Sequence, residues 1–164
     1  MSDTPTSQRR VLGPPYRARI DWQYSGSGFS AGQYSREHVW EFDGGLSVLA
    51  SPSPHVVPAP WSNVAHVDPE EGLVAAVASC HMLTFLWVAG RRGWTVTRYV
   101  DDAQGLLTRD ERRVTSVSEI ILRPAITWEG TPPTAEELAE LHAQAHEQCI
   151  IANSVRAEIR IAAP

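Results

Sequence analysis

The sequence predicts a mixed α+β fold, and three observations carry that reading. A run from Gly72 to Gly90 has no Lys, Arg, Asp or Glu and is bracketed by helix start and stop signals. Several stretches alternate apolar and polar residues with the period of two that marks half-exposed strands. A second helix is announced by Thr134 with Glu137 three residues on, the capping-box spacing. Read in order, the elements are βββ–α–ββ–α–β, a mixture of sheet runs and helices.

The first 15 residues are polar, carry proline and have no apolar core, so 1–15 read as a flexible arm without a signal peptide. The remainder, 16–164, is the length of one domain. From Tyr16 to Tyr24, Tyr16, Ala18, Ile20, Trp22 and Tyr24 share one strand face, opposite Arg17, Arg19, Asp21 and Gln23. Ser25 to Gly32 is a Gly/Ser turn, and Tyr34 to Phe42 a second strand. Asp43-Gly44-Gly45 is a hairpin signal leading into Leu46–Ala50. Ser51 to Asn63 contains Pro52, Pro54, Pro58 and Pro60 and reads as an extended loop of the kind that lines sites.

The central helix follows. Asp68 is placed to cap it, Pro69 sits where a missing N–H costs nothing, and Glu70 and Glu71 suit the positive end of the dipole. Gly90 and Arg91-Arg92-Gly93 form its stop signal. Leu, Val, Ala, Met, Phe and Trp occupy every face, which predicts a helix buried all round. The run is also long enough to span a bilayer. Ser79, Cys80, His81 and Thr84 interrupt it at mid-depth and no second span accompanies it, so a helix shared between two subunits is preferred. Beyond it, Trp94–Leu107 and Val114–Trp128 read as two strands, the first with a bulge or bend, joined by a charged turn at Arg109–Arg113. The second helix runs to about Ile151, and Ser154–Ala162 is the last strand.

A hydrophobic share of 43% supports a proper core, and a net charge of −5 argues against nucleic acid and anionic membrane surfaces as partners. Two cysteines without a leader point to the cytosol, where they are reactive or metal-binding more often than structural. Cys80 lies mid-helix. His142, His146 and Cys149 are spaced i, i+4, i+7 and share a helix face. Three chemistries remain open on these residues alone. One is inert packing of Cys80. The second is a zinc or small-ligand site on Cys80, His146 and Cys149, without any Cys-x-x-Cys or His-Glu-x-x-His pattern. The third is a Cys–His nucleophile pair, in which His81, about 100° around the helix from Cys80, cannot face the same partner.

Two motifs carry a resemblance. Asp-Pro-Glu-Glu-x-Leu-Val-Ala-Ala-Val-Ala-Ser-Cys-His at 68–81 and Ala-His-Glu-Gln-Cys-Ile-Ile-Ala-Asn-Ser-Val at 145–155 resemble the OsmC/Ohr family of thiol-dependent hydroperoxide reductases. Tyr-Ser-Arg-Glu-His-x-Trp-Glu-Phe-Asp-Gly-Gly at 34–45 is similar to a subgroup of it. The resemblance implies curved antiparallel sheets around the long helix in an intertwined homodimer. It implies a peroxidatic Cys80, a resolving Cys149, and an activating Arg–Glu pair assigned to Arg36 and Glu70. It also implies no cofactor, an organic hydroperoxide substrate and an external dithiol reductant, lipoyl-type or small. Leu83, Thr84 and Trp87, with His81 and His146, are expected to line the substrate pocket. The sequence departs from the hydroperoxide-specialised branch at Cys149-Ile150, where that branch has Cys-Pro, and at His81, where an aromatic would follow the first cysteine. Ten helical residues place Glu70 about 15 Å from Cys80, so a second subunit is expected to supply it.

Overall fold

The structure, a computed structural model, describes residues 10–162; most of the expected N-terminal arm lies outside them. Two units divide the chain, one through His66 and one from Val67 onward.

The first unit is a three-stranded antiparallel meander: β1 (Ala18–Asp21), β2 (His38–Phe42) and β3 (Ser47–Ala50). Ile20 pairs with Trp40, and Val39 with Leu49. The Asp43-Gly44-Gly45 signal forms the expected turn, with Gly45 at φ 86° and the Phe42 amide donating to Leu46 O at 2.9 Å. The strands are shorter than the alternation predicts. Trp22, Tyr24, Phe29 and Tyr34 leave the ladder to pack on one another, with ring centroids 4.6–6.2 Å apart. The Trp22 indole N–H donates to Ser35 O at 3.0 Å.

The second unit is built on α1 (Pro69–Arg91). Its start is the predicted one: Asp68 accepts from the Glu71 amide at 2.8 Å, and the Glu71 carboxylate accepts from the Asp68 amide at 3.0 Å. Its end lies later than Gly90. Arg92 is the cap and Gly93, at φ 88°, makes the left-handed exit that other residues resist. By length and composition α1 could cross a membrane, with mean hydropathy 1.8. It packs instead on α2 (Ala135–Gln148), β4 (Thr95–Asp101), β5 (Gln104–Arg109) and β6 (Thr115–Leu122).

Three sequence expectations are corrected here. Trp94–Leu107 and Val114–Trp128 each form two strands rather than one, because the long hairpin bends. β4 pairs with β7 (Pro124–Glu129) and β5 with β6, in separate sheets. At the bend Pro124 opens β7, and the Asp101 carboxylate takes the Arg123 amide at 2.6 Å, so a side chain replaces a ladder bond. The last strand, β8 (Glu158–Ile161), is parallel to β6, not antiparallel: an intervening helix can return the chain to the same direction. And α1 is not buried all round: Leu83 and Trp87 are 61% and 54% exposed in the single chain.

The bend gives α1 two cores. Phe85, Val88 and Ala89 pack with Leu141 and Ala145 of α2 against Tyr99, Ile126 and Trp128. About two to three turns earlier, Val77 packs with Ile120 and Leu122 against Val74, Ile151, Val155 and Ile159. Gly105 of β5 lies so close to α1 that a Cβ there would sit 2.6 Å from the Val74 side chain. Cys80 and His81 fall where the two cores meet.

Candidate functional site: a cysteine pair beside a buried histidine pair

Cys80 is half-buried and Cys149 fully buried, and both are free thiols. They are neighbours: the Cys80 thiol lies close enough to Cys149 to push the Cys149 thiol pKa up. Thr84, one turn on from Cys80, donates its hydroxyl to Cys80 O at 2.9 Å, holding that turn of α1.

Cys149 is not on the helix as the spacing argument required. α2 stops at Gln148, and Cys149 is its C-cap in an extended conformation, φ −70° and ψ 113°. The reason lies downstream. Asn153 donates from its side chain to Glu147 O and Cys149 O, both at 2.9 Å, and Ser154 donates its hydroxyl to Ile150 O at 2.7 Å. These bonds take up helix-end carbonyls that a further turn would otherwise use. They fold 150–154 into a tight turn whose amides point back. The Ile151 N–H donates to Cys80 Sγ at 3.5 Å, and the Ala152 N–H to Cys149 Sγ at 3.4 Å. Burial above all pushes the Cys149 thiol pKa up, and the Cys80 thiol adds to this; the two amides pull it down.

His81 and His142 meet one residue around the helix. His81 Nε2 and His142 Nδ1 are 3.0 Å apart with the rings nearly coplanar, 13° between planes. Phe85 closes the group, its ring centroid 4.5 Å from that of His142. His81 is 1% and His142 8% exposed, and His81 Nδ1 is buried without a partner. Burial pushes both imidazoles down to about 4, helped at His81 by the nearby His142 and His146. Both are therefore neutral near pH 7, one nitrogen donating and the other accepting.

The other expected residues divide by position. Leu83, Thr84 and Trp87 lie three, four and seven residues beyond Cys80, on its side of α1. His146 is exposed, while His81 is closed off in the interior rather than open to a ligand. Glu70 is at the start of α1, about 15 Å along the same helix from Cys80, so within one chain it does not touch the thiol. Arg36 belongs to the first unit. Its guanidinium donates to Tyr34 O at 3.1 Å and to Gly32 O at 3.4 Å, and lies 4.0 Å over the Tyr34 ring. Among the described residues no three His, Cys, Asp or Glu side chains converge as metal ligands. The spacing argument missed the His81–His142 contact and the Asn153–Ser154 turn. Asn-Ser after a cysteine is a turn signal that was open to reading; the histidine pair, 61 residues apart, had no local signal.

An α+β fold in which a free cysteine of one helix meets a free cysteine capping another defines a dithiol protein. The chain matches the OsmC-like protein family over residues 62–163 and belongs to it. An OsmC-like protein of unknown function from Vibrio cholerae is 46% identical, with a TM-score of 0.87 over 92% of this chain and 99% of that one. An organic hydroperoxide resistance protein from Elizabethkingia anophelis shares 18% identity and a TM-score of 0.67, covering 92% and 94%. The organic hydroperoxide resistance protein OhrB of Bacillus subtilis shares 17% and 0.62, covering 90% and 96%. The last two likenesses show the fold. No curated protein sequence matches this chain.

Proposed function

We propose that the protein is a thiol-dependent peroxidase of the cytosol that reduces organic hydroperoxides. The observation that carries this reading is the meeting of Cys80 and Cys149, one half-buried and one buried, with main-chain N–H groups on both sulfurs. Hydroperoxide resistance proteins share the fold.

The Cys80 thiolate attacks the distal peroxide oxygen. An S–O bond forms, the O–O bond breaks, and the alkoxide takes a proton to leave as alcohol; Cys80 becomes a sulfenic acid. The Cys149 sulfur then attacks the sulfenic sulfur, an S–S bond forms, and hydroxide leaves as water. An external dithiol, lipoyl-type or small, restores both thiols by exchange and is itself oxidised to its disulfide. Arg36 and Glu70 are the residues we assign to stabilising the thiolate and the departing oxyanion. Arg36 supplies the guanidinium, and the carboxylate of Glu70 holds it.

A homodimer completes the reading. Ala75, Ala76, Ser79, Leu83 and Trp87 form one exposed face of α1, and a second copy laid on it would bury the two large side chains and bring its own Glu70. The apolar side chains of Leu83 and Trp87, with the methyl group of Thr84, suit a fatty or aryl peroxide. Leu83→Arg should weaken that preference, and unchanged preference would argue against the assignment.

The test is a thiol count by intact mass, before and after one equivalent of cumene hydroperoxide. Loss of both thiols in the wild type and a trapped sulfenic acid in Cys149→Ser are expected. Thiols that ignore the peroxide would overturn the reading. Light scattering at micromolar concentration should return twice the chain mass, and a monomer would remove the dimer.

A further inference from the structure

The turn after α2 brings two consecutive main-chain N–H groups onto two different sulfurs. Ile151 reaches Cys80 at 3.5 Å and Ala152 reaches Cys149 at 3.4 Å. Cys80 lies mid-helix, more than two turns from either end of α1, so the helix dipole gives its thiolate little help. An N–H aimed at the sulfur is a donor of the kind that stabilises a developing anion, and donors to charged acceptors are the stronger class. The turn is held from both sides. Asn153 and Ser154 bind the carbonyls of 147, 149 and 150, and the Ile151 side chain is anchored in the core with Val77 and Ile120. The donors are therefore fixed before any anion forms.

We infer that the turn Ile150–Ser154 is a main-chain cradle for the two thiolates, in which the Ile151 N–H activates Cys80 and the Ala152 N–H activates Cys149. Asn153 is its positioning residue. The proposal rests on Cys80 being the nucleophile, and it adds to that reading an activating group supplied by the resolving cysteine's own segment. One turn then serves both thiolates in sequence. It also makes Cys80 reactivity depend on how the chain leaves α2.

Proline isolates the donor. Ile151 has φ −70° and ψ −39°, which proline's fixed φ near −65° accepts, so Ile151→Pro deletes the N–H while leaving that φ unchanged. Ile151→Ala keeps the N–H and loses side-chain packing. Asn153→Ala keeps both amides but removes the two side-chain bonds that tie the turn to the end of α2. All three are made in Cys149→Ser, so that Cys80 is the one thiol titrated. The readout is the iodoacetamide alkylation rate across pH, with circular dichroism to confirm folding. Ile151→Pro should lower the rate at pH 7 by ~10-fold and move the half-maximal point to higher pH, the scale of one charge-assisted hydrogen bond. Ile151→Ala should stay within ~2-fold, and Asn153→Ala should fall between.

An unmoved half-maximal point in folded Ile151→Pro would overturn the cradle. If that variant does not fold, an unmoved point in Asn153→Ala overturns it. The failure is distinct from that of the peroxidase reading, because alkylation needs no peroxide. A Cys80 that alkylates readily but ignores cumene hydroperoxide would sink the peroxidase and leave the cradle standing.

Discussion

Cys80 and His81 are adjacent on one helix, about 100° apart, and each meets a residue from α2 or its cap. The outcomes differ. His81 meets His142 in a contact sealed by Phe85, with no opposite charge and one nitrogen left unpartnered. Cys80 meets Cys149 under two oriented amides and stays half open to solvent. Both pairs are polar groups held at the junction of two apolar cores. Burial alone turns the first into neutral packing. Burial with aligned donors and access turns the second into a place where an anion can form.

The largest effect is on the histidine side and is read in acid. Each imidazole is near 6.5 when unfolded and about 4 when folded. Between those values the unfolded chain binds more protons, so stability is complete above about pH 6.5 and falls as pH drops toward 4. A depression of this size is about 3 kcal/mol per histidine, and the contact between the two makes their loss a joint one. Urea unfolding midpoints taken from pH 7 to pH 4 should fall steeply. His142→Phe, apolar and of similar bulk, should flatten the curve. A flat curve in the wild type would mean that the pair is charged or solvated, and the contrast with Cys80 would collapse.

How much of this was legible beforehand varies with the range of the interaction. The Asp68 cap and the Thr134–Glu137 capping box formed as read, because a cap is decided within four residues, and the structure adds a reciprocal bond from Glu71 to the first. The Asp43-Gly44-Gly45 turn did too. Helix α1 was found from its missing charges, but its exposed Leu83 and Trp87 could not be: composition says that a face is apolar and not what covers it. The bend at Asp101 and Arg123 depends on a bond across 22 residues. The end of α2 depends on Asn153 and Ser154 competing for carbonyls, which periodicity does not record. The cysteine pairing was recovered by family resemblance, on a helix face that turned out not to include Cys149.

The next effect works from the cysteine side. Gly105→Ala would set a Cβ 2.6 Å from the Val74 side chain, inside the core that also holds Ile151. Over-packing of this kind costs about 1–3 kcal/mol. The strain falls on the half of α1 against which the turn over Cys80 packs. Stability by urea should drop while the acid dependence keeps its slope, and the Cys80 alkylation profile should shift. If the acid slope changes and alkylation does not, the two cores are not separable and the division at Cys80–His81 is wrong.

The smallest effect is the cleanest control. Thr134 caps α2 at the end remote from Cys149, accepting the Glu137 amide at 3.2 Å while Glu137 accepts the Thr134 amide at 2.8 Å. Thr134→Ala removes one of these bonds and should cost about 1 kcal/mol. Nothing in that bond reaches either pair. The loss should appear as an equal drop in stability at every pH and leave the Cys80 alkylation rate unchanged. If alkylation falls with this remote cap, then Cys80 responds to the general firmness of α2 and not to where the Ile151 amide points. The same drop in the Ile151 and Asn153 variants would then lose its local meaning. An unchanged rate at lowered stability ties reactivity to the geometry of one turn, and separates it from the packing that the neighbouring histidines provide.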